Sequence, residues 1–100
     1  MTMIYRSKPT PVLVDQALLG LGERLVLARK ARELTQADLA RLADVGLSTV
    51  AALEGGHAGV ALGNALKVFK ALGLLAQIDE LLAPARDPAL VQYAVSRLTK

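Results

Sequence analysis

The stretch LTQADLARLADVGLSTVAALEGG, residues 34 to 56, decides the fold of this chain. Thr35 stands where an N-cap belongs, ahead of QADLARLA, and Asp38 three residues on makes a shortened capping box. The helix this predicts, residues 36 to 43, turns Leu39, Ala40 and Leu42 inward and shows Arg41 to solvent. Asp44, Val45 and Gly46 form a turn, and a second short helix begins at Leu47. At about 100° per residue, Leu47, Ser48, Ala51, Ala52 and Gly55 share one face, and Thr49, Val50 and Leu53 lie on the other. Core demand explains Val50 and Leu53. It leaves Ser48, Ala51 and Ala52 as a small, uncharged outer surface, and no Lys or Arg occurs between residues 42 and 66.

On the N-terminal side, the two prolines of KPTP discourage regular structure, so residues 1 to 12 read as a tail or a short edge strand at MIYRS. A short helix is expected over residues 12 to 19 and a better one over residues 21 to 32, with Gly20 and Gly22 loosening the junction. Leu21, Leu25 and Ala28 line one face of the second, while Arg24, Arg29 and Lys30 fall away from it. On the C-terminal side, GGHAGVALGN is a glycine-rich connection. Leu62, Ala65, Leu66, Phe69 and Leu72 then repeat at helical spacing over residues 61 to 72, with Lys67 and Lys70 outward and Gly73 as the stop. A further helix over residues 75 to 82 presents Leu75, Ile78, Leu81 and Leu82. Asp87 and Pro88 make an N-cap and first-turn pair for a last helix over residues 88 to 98, whose stripe of Val91, Ala94, Val95 and Leu98 requires a cover. The expected organisation is a tail (1 to 12), a helical domain (13 to 83) and a C-terminal helix (84 to 100) offering a dimer or partner surface.

Composition agrees with helices. With 53% hydrophobic residues and only 3% aromatic, the core must be built from Leu, Ala and Val, which favours an all-α fold over sheet. A 100-residue chain buries only about 60 to 65% of its unfolded surface, so it gains from oligomerisation. Asp44, Glu54 and Lys67 interrupt the most apolar region before it reaches the roughly 18 to 20 residues that span a bilayer. MTMIYRSKPTPVL has no long apolar run after its basic residues, so neither a membrane anchor nor a secretory leader is expected, and a cytoplasmic location follows. The net charge of +3 is uneven: Arg6, Lys8, Arg24, Arg29, Lys30, Arg32 and Arg41 face only Asp15, Glu23, Glu33 and Asp38 in residues 1 to 41. A basic N-terminal half suits a polyanion, and equally describes a solvated helix face.

Catalytic chemistry has little to work with. The chain has no Cys and one His, so a thiolate metal site is excluded and His57, in a glycine loop, is the only strong general base near neutral pH. Asp79 and Glu80 are adjacent on a helix and point about 100° apart, which prevents them from acting as a carboxylate pair. GGHAG lacks the strand before it and the Gly-Lys-Ser ending of a phosphate loop. No catalysis, cofactor or metal is expected.

From residue 21 to about residue 82 the chain resembles the Xre/Cro helix-turn-helix family, whose fold is the five-helix domain of lambda-type repressors. LGERLVLARKARELTQADLA, ADVGLSTVAALEGG and LKVFKALG carry the likeness, through Thr35-Gln36, Leu39-Ala40, Val45, Val50, Leu53-Glu54 and Gly56 in order. More narrowly, GVALGNALKVFKALGLLAQIDELLAP resembles HipB-type antitoxins, small repressors that accompany a HipA-like kinase toxin and repress their shared operon.

The resemblance implies a sequence-specific repressor that binds double-stranded DNA. Gln36 matches the position that bonds a backbone phosphate, beside the cap residue Thr35 and the exposed Arg41. Leu47, Ser48, Ala51 and Ala52 match the positions that enter the major groove, Thr49 can reach a flanking phosphate, and Glu54 matches an acid that orders structure. Family members often carry Arg, Lys or Gln where this chain has Leu47, Ala52 and Gly55, so bidentate bonds to purines give way to packing on thymine methyls and groove walls. Gly46 and Ala61 also stand where a capping Ser or Thr is common. If Arg24, Arg29, Lys30, Arg41 and Lys67 supply two or three phosphate contacts, the salt slope is only about 2 to 3 per subunit. A homodimer on a palindromic operator, with half-sites about 34 Å apart, doubles the contacts and covers the apolar stripe of the last helix. Two alternatives share the fold: a protein-interaction module that neutralises a partner with weak or no DNA reading, and a phage-type repressor without a toxin.

Overall fold

A computed structural model describes residues 9 to 98; the edge strand expected at MIYRS lies outside the described residues. Within them the fold is all-α. The helices are α1 (Val12–Ala31), α2 (Gln36–Ala43), α3 (Leu47–Glu54), α4 (Leu62–Ala71) and α5 (Pro88–Leu98), with 3-10 segments at Leu75–Glu80 and Pro84–Arg86. No helix among the described residues is long and apolar enough to cross a membrane.

The two helices expected before residue 33 are one. Gly22, expected to loosen a junction, is instead buried where α1 crosses the end of α3. A Cβ there would collide with the Glu54 carbonyl oxygen and lie 2.9 Å from that of Leu53. Gly56 answers from the other side: its φ is +76°, and a Cβ would lie 2.9 Å from the Leu19 backbone. Close packing of α1 on α3 thus offsets the roughly 0.5 to 1 kcal/mol that Gly22 costs α1, while Gly56, beyond the end of α3, suits its positive φ.

α2 begins at the expected capping box, with Asp38 N–H donating to Thr35 Oγ1 (3.0 Å) and Thr35 N–H to Asp38 Oδ2 (2.9 Å). Gly46 and Ala61, at the N-caps of α3 and α4, provide no side-chain cap. α4 stops at Gly73, whose φ is +78°, with Leu74 N–H donating to the Phe69 carbonyl (2.9 Å). That closing pattern recurs after α1 and α2 on non-glycine residues, Glu33 and Asp44, each at φ +56°. α5 starts where the Asp87–Pro88 pair predicts, and Asp87 Oδ1 accepts from Ala89 N–H (3.0 Å).

The core is Leu25 from α1, Leu39, Ala40 and Ala43 from α2, Val50 and Leu53 from α3, and Ala65, Val68 and Leu72 from α4 and its cap. Three assignments change. Leu42 is 61% exposed, its expected place taken by Ala43, because α2 packs along the 39, 40, 43 stripe. Leu62 is 72% exposed at the first turn of α4, and the stripe 65, 68, 72 buries Val68 instead. Arg29, expected outward, is buried. The helix expected over residues 75 to 82 is a tighter 3-10 segment, and Leu82 lies beyond it at φ +59°.

Candidate nucleic-acid interface

The outward face of α3 is as the helical spacing predicts. Leu47 is 51% exposed, Ser48 and Ala51 are exposed and Ala52 is half-buried, while Val50 and Leu53 point into the core and Thr49 is half-buried. α2 buries one side of α3 and α1 backs its C-terminal end, so the exposed face is held on a rigid support. A cleft runs along each flank. One, about 620 Å³, has Arg41, Asp44, Val45 and Leu47 on its wall. The other, about 510 Å³, separates Ser48, Thr49 and Ala52 from His57 and Asn64 at the start of α4. Asn64 escapes a reading confined to the helix-turn-helix, because only the fold of the glycine loop brings α4 alongside Thr49.

The charged groups divide into those committed inside and those offered outside. Arg29 Nε donates to Glu54 Oε2 (2.6 Å) and its Nη2 to Glu54 Oε1 (3.0 Å), a bidentate pair, while Nη1 donates to the Leu34 carbonyl (2.9 Å). Gln36 Nε2 donates to the same Glu54 Oε1 (2.9 Å). Burial pushes the Glu54 carboxyl up, but the bonds from Arg29 and Gln36 and the charges of Arg29 and Lys30 outweigh it and hold the carboxyl below its ordinary range. The Glu54 bond in turn raises Arg29 against the opposing effect of burial. Glu54 therefore ties α1, α2 and α3 together. Gln36 gives one of its two amide N–H groups to this network.

Arg29 is accordingly withdrawn from the cations that reach phosphate. Its inward path was visible in one respect: it follows Leu25 by four residues, the spacing of the buried stripe. Arg32 is also engaged, donating to the Leu72 (3.0 Å) and Ala28 (2.7 Å) carbonyls. Arg24 stands beside an apolar groove formed by α1 and the segment Leu75–Glu80. Arg41 is exposed and pairs with Asp38 (2.6 Å), whose carboxyl is lowered first by the Thr35 backbone and side-chain bonds and then by Arg41. So exposed a pair is screened by solvent and weak, which leaves Arg41 able to exchange Asp38 for another anion.

A rigidly backed helix with an exposed face, preceded across a tight turn by a capped helix, is the geometry that enters a major groove. The helix-turn-helix family model HTH_3 matches residues 25–76, which is α1 from Leu25 through the start of the 3-10 segment. No curated protein and no solved structure matches the chain significantly. The matched span contains the capped helix, the turn and the exposed helix, and the chain belongs to the HTH_3 helix-turn-helix family of DNA-binding regulators.

Proposed function

We propose that the chain is a homodimeric, cytoplasmic repressor that binds a palindromic operator by inserting residues 47 to 55 into the major groove, and that it is the antitoxin of a HipBA-like module, autoregulating its operon and binding a kinase-like toxin. The observation that carries the repressor reading is the exposed, uncharged face of α3 on a support locked by Glu54. Leu47, Ala51 and Ala52 offer apolar contact and Ser48 one hydroxyl, so the operator is read by thymine methyls and by duplex shape. Gln36, the first turn of α2, Thr49 and Arg41 bond the phosphates that fix the register, with Thr35 holding that turn in place.

The test is binding to duplexes selected by the protein from a random library, against scrambled duplexes of the same composition and across a salt series. Expected is a clear preference for the selected sequence and a fall in affinity with salt. A flat salt response with no preference sinks the repressor reading. The toxin assignment separates from it: a kinase-like protein encoded beside this chain should form a stable complex with it and lose its toxicity. A neighbourhood without such a protein leaves a phage-type repressor.

The bare face of α3 also favours a second reading, in which that face docks a protein. Ser48→Glu with Ala52→Glu decides between them. Lost DNA binding supports groove insertion; retained DNA binding with loss of the partner supports protein docking.

A further inference from the structure

The cleft of about 510 Å³ on the α4 side of α3 collects four polar side chains: Ser48 and Thr49 of α3, His57 of the connecting loop and Asn64 of α4. Among the described residues, none of these four side chains forms a hydrogen bond or an ion pair. The backbone holds His57 in place, since its N–H donates to the Ala52 carbonyl (3.0 Å). The ring lies back over the end of α3, where a Cβ at Gly55 would come within 3.2 Å of His57 Cδ2. Gly55 is exposed and shares the outward face of α3 by helical spacing, so its missing side chain leaves the imidazole room beside that face.

We propose that this cleft seats a phosphate of the duplex backbone and that protonated His57 supplies the charge that binds it. This rests on the groove-insertion reading and goes further by assigning a contact whose strength follows pH. A helix with its side chains is about 10 to 12 Å across and the major groove about 12 Å wide, so an inserted α3 meets a sugar-phosphate wall on each flank. On the α2 flank the cleft wall includes Arg41. On the α4 flank, among the described residues, the lining holds no Lys or Arg, and His57 is its one group able to become cationic. Histidine is the side chain whose ordinary charge change falls between about pH 5 and 8. With neutral His57 the cleft offers only neutral hydrogen-bonding groups; protonation adds a charge-assisted bond to an anion. The charged groups nearby do not occupy His57. Glu54 of α3 is turned onto Arg29 and Gln36. Lys67, exposed, stands three residues beyond Asn64 on α4. On α1 the Leu19 backbone lies against Gly56, and Asp15 and Glu23 stand one turn to either side of Leu19. Neither carboxylate forms an ion pair with His57.

The test follows the salt slope against pH. The full-length chain is bound to the duplex selected from the random library, by fluorescence anisotropy between about 50 and 200 mM salt, at about pH 8 and about pH 5.5. One further phosphate contact adds about 0.9 to the log-log slope for each subunit bound. A dimer therefore steepens by about 1.8, and its affinity falls about 12-fold further across that salt range at the lower pH. His57→Ala is expected to keep the shallow slope at both pH values, and His57→Lys the steep slope at both. Binding near about pH 6.5 should also take up protons, read calorimetrically as a heat that depends on the ionisation enthalpy of the buffer, and His57→Ala should remove that uptake. A slope of the unsubstituted chain that does not change with pH overturns the proposal. So does a pH-dependent slope that survives in His57→Ala, because the titrating group then lies elsewhere. Either outcome, with the selected duplex still preferred, keeps the regulator reading. Failure to prefer the selected duplex at both pH values removes that reading and the contact with it.

Discussion

Arg29 and Glu54 carry opposite charges where their side chains are only 10% and 5% exposed. Removing one partner leaves the other charged and buried, which typically costs about 3 to 5 kcal/mol, against about zero for replacing both with apolar groups of similar volume. Arg29→Ala is expected to lose stability of that order in urea unfolding, and Arg29→Met with Glu54→Leu far less. The pair also sets an acid response. A carboxyl held below its ordinary range contributes stability that is complete above that range and is lost as pH falls through the lower folded value. Glu54→Gln should flatten the acid limb of the stability profile, and a limb as steep as that of the unsubstituted chain would refute the assignment. On the α3 face the prediction concerns DNA. Replacing thymine by uracil in the selected duplex removes only methyl groups, each worth about 0.8 kcal/mol when buried, so each contacted methyl should cost roughly fourfold in affinity. Substituting 7-deazaguanine, which removes a purine acceptor, should change little. The reverse pattern would show that the helix reads purines.

Gly20 and Gly22 lie two residues apart in one helix and have opposite roles. A Cβ at Gly20 meets only the flexible end of Arg24 at 3.3 Å, whereas at Gly22 it meets backbone of α3. Gly20→Ala is expected to stabilise the fold by about 0.5 to 1 kcal/mol and Gly22→Ala to destabilise it by about 1 to 3 kcal/mol, read as opposite shifts in thermal midpoint. This pair shows where sequence reasoning stops. The cost of a glycine in a helix is local and readable, but its compensation depends on which element crosses it. Thr35 with Asp38 and Asp87 with Pro88 were legible, because a cap is a contact within four residues. So were the outward positions of Ser48 and Ala51, which follow from helical spacing and the inward pull of Val50 and Leu53, while Ala52 is half-buried. Leu42, Leu62 and Arg29 depart from expectation for one reason. Residue type suggests a preference for the interior or for water, while the neighbouring helix selects which stripe is covered. The hold of Gln36 on Glu54 joins residues 18 apart and has no local trace.

The molecule as a whole is extended, with a Cα radius of gyration of 17.2 Å against about 13 Å for a compact chain of this length. Its extents are 52 × 42 × 22 Å, and none of the residues of α5 is buried. The charge distribution bears on the proposed dimer. Of the five cations expected near phosphate, Arg29 is committed to the fold and Arg24 lies beside the groove, which leaves Lys30, Arg41 and Lys67 for the two or three contacts proposed for each subunit. At about 0.9 per contact, one subunit gives a log-log salt slope of only about 1.8 to 2.7, and a dimer doubles it to about 3.6 to 5.4, roughly 4 to 5. Affinity for the selected operator should therefore fall roughly 200- to 1,000-fold between 50 and 200 mM salt, measured by fluorescence anisotropy. If the exposed stripe of α5 joins the two subunits of the proposed dimer, Val95→Glu with Leu98→Glu should show half the slope as well as weaker binding, because a monomer brings half the phosphate contacts to the duplex. Weaker binding at an undiminished slope would mean that all the phosphate contacts come from one subunit, leaving the second copy no part in holding the duplex.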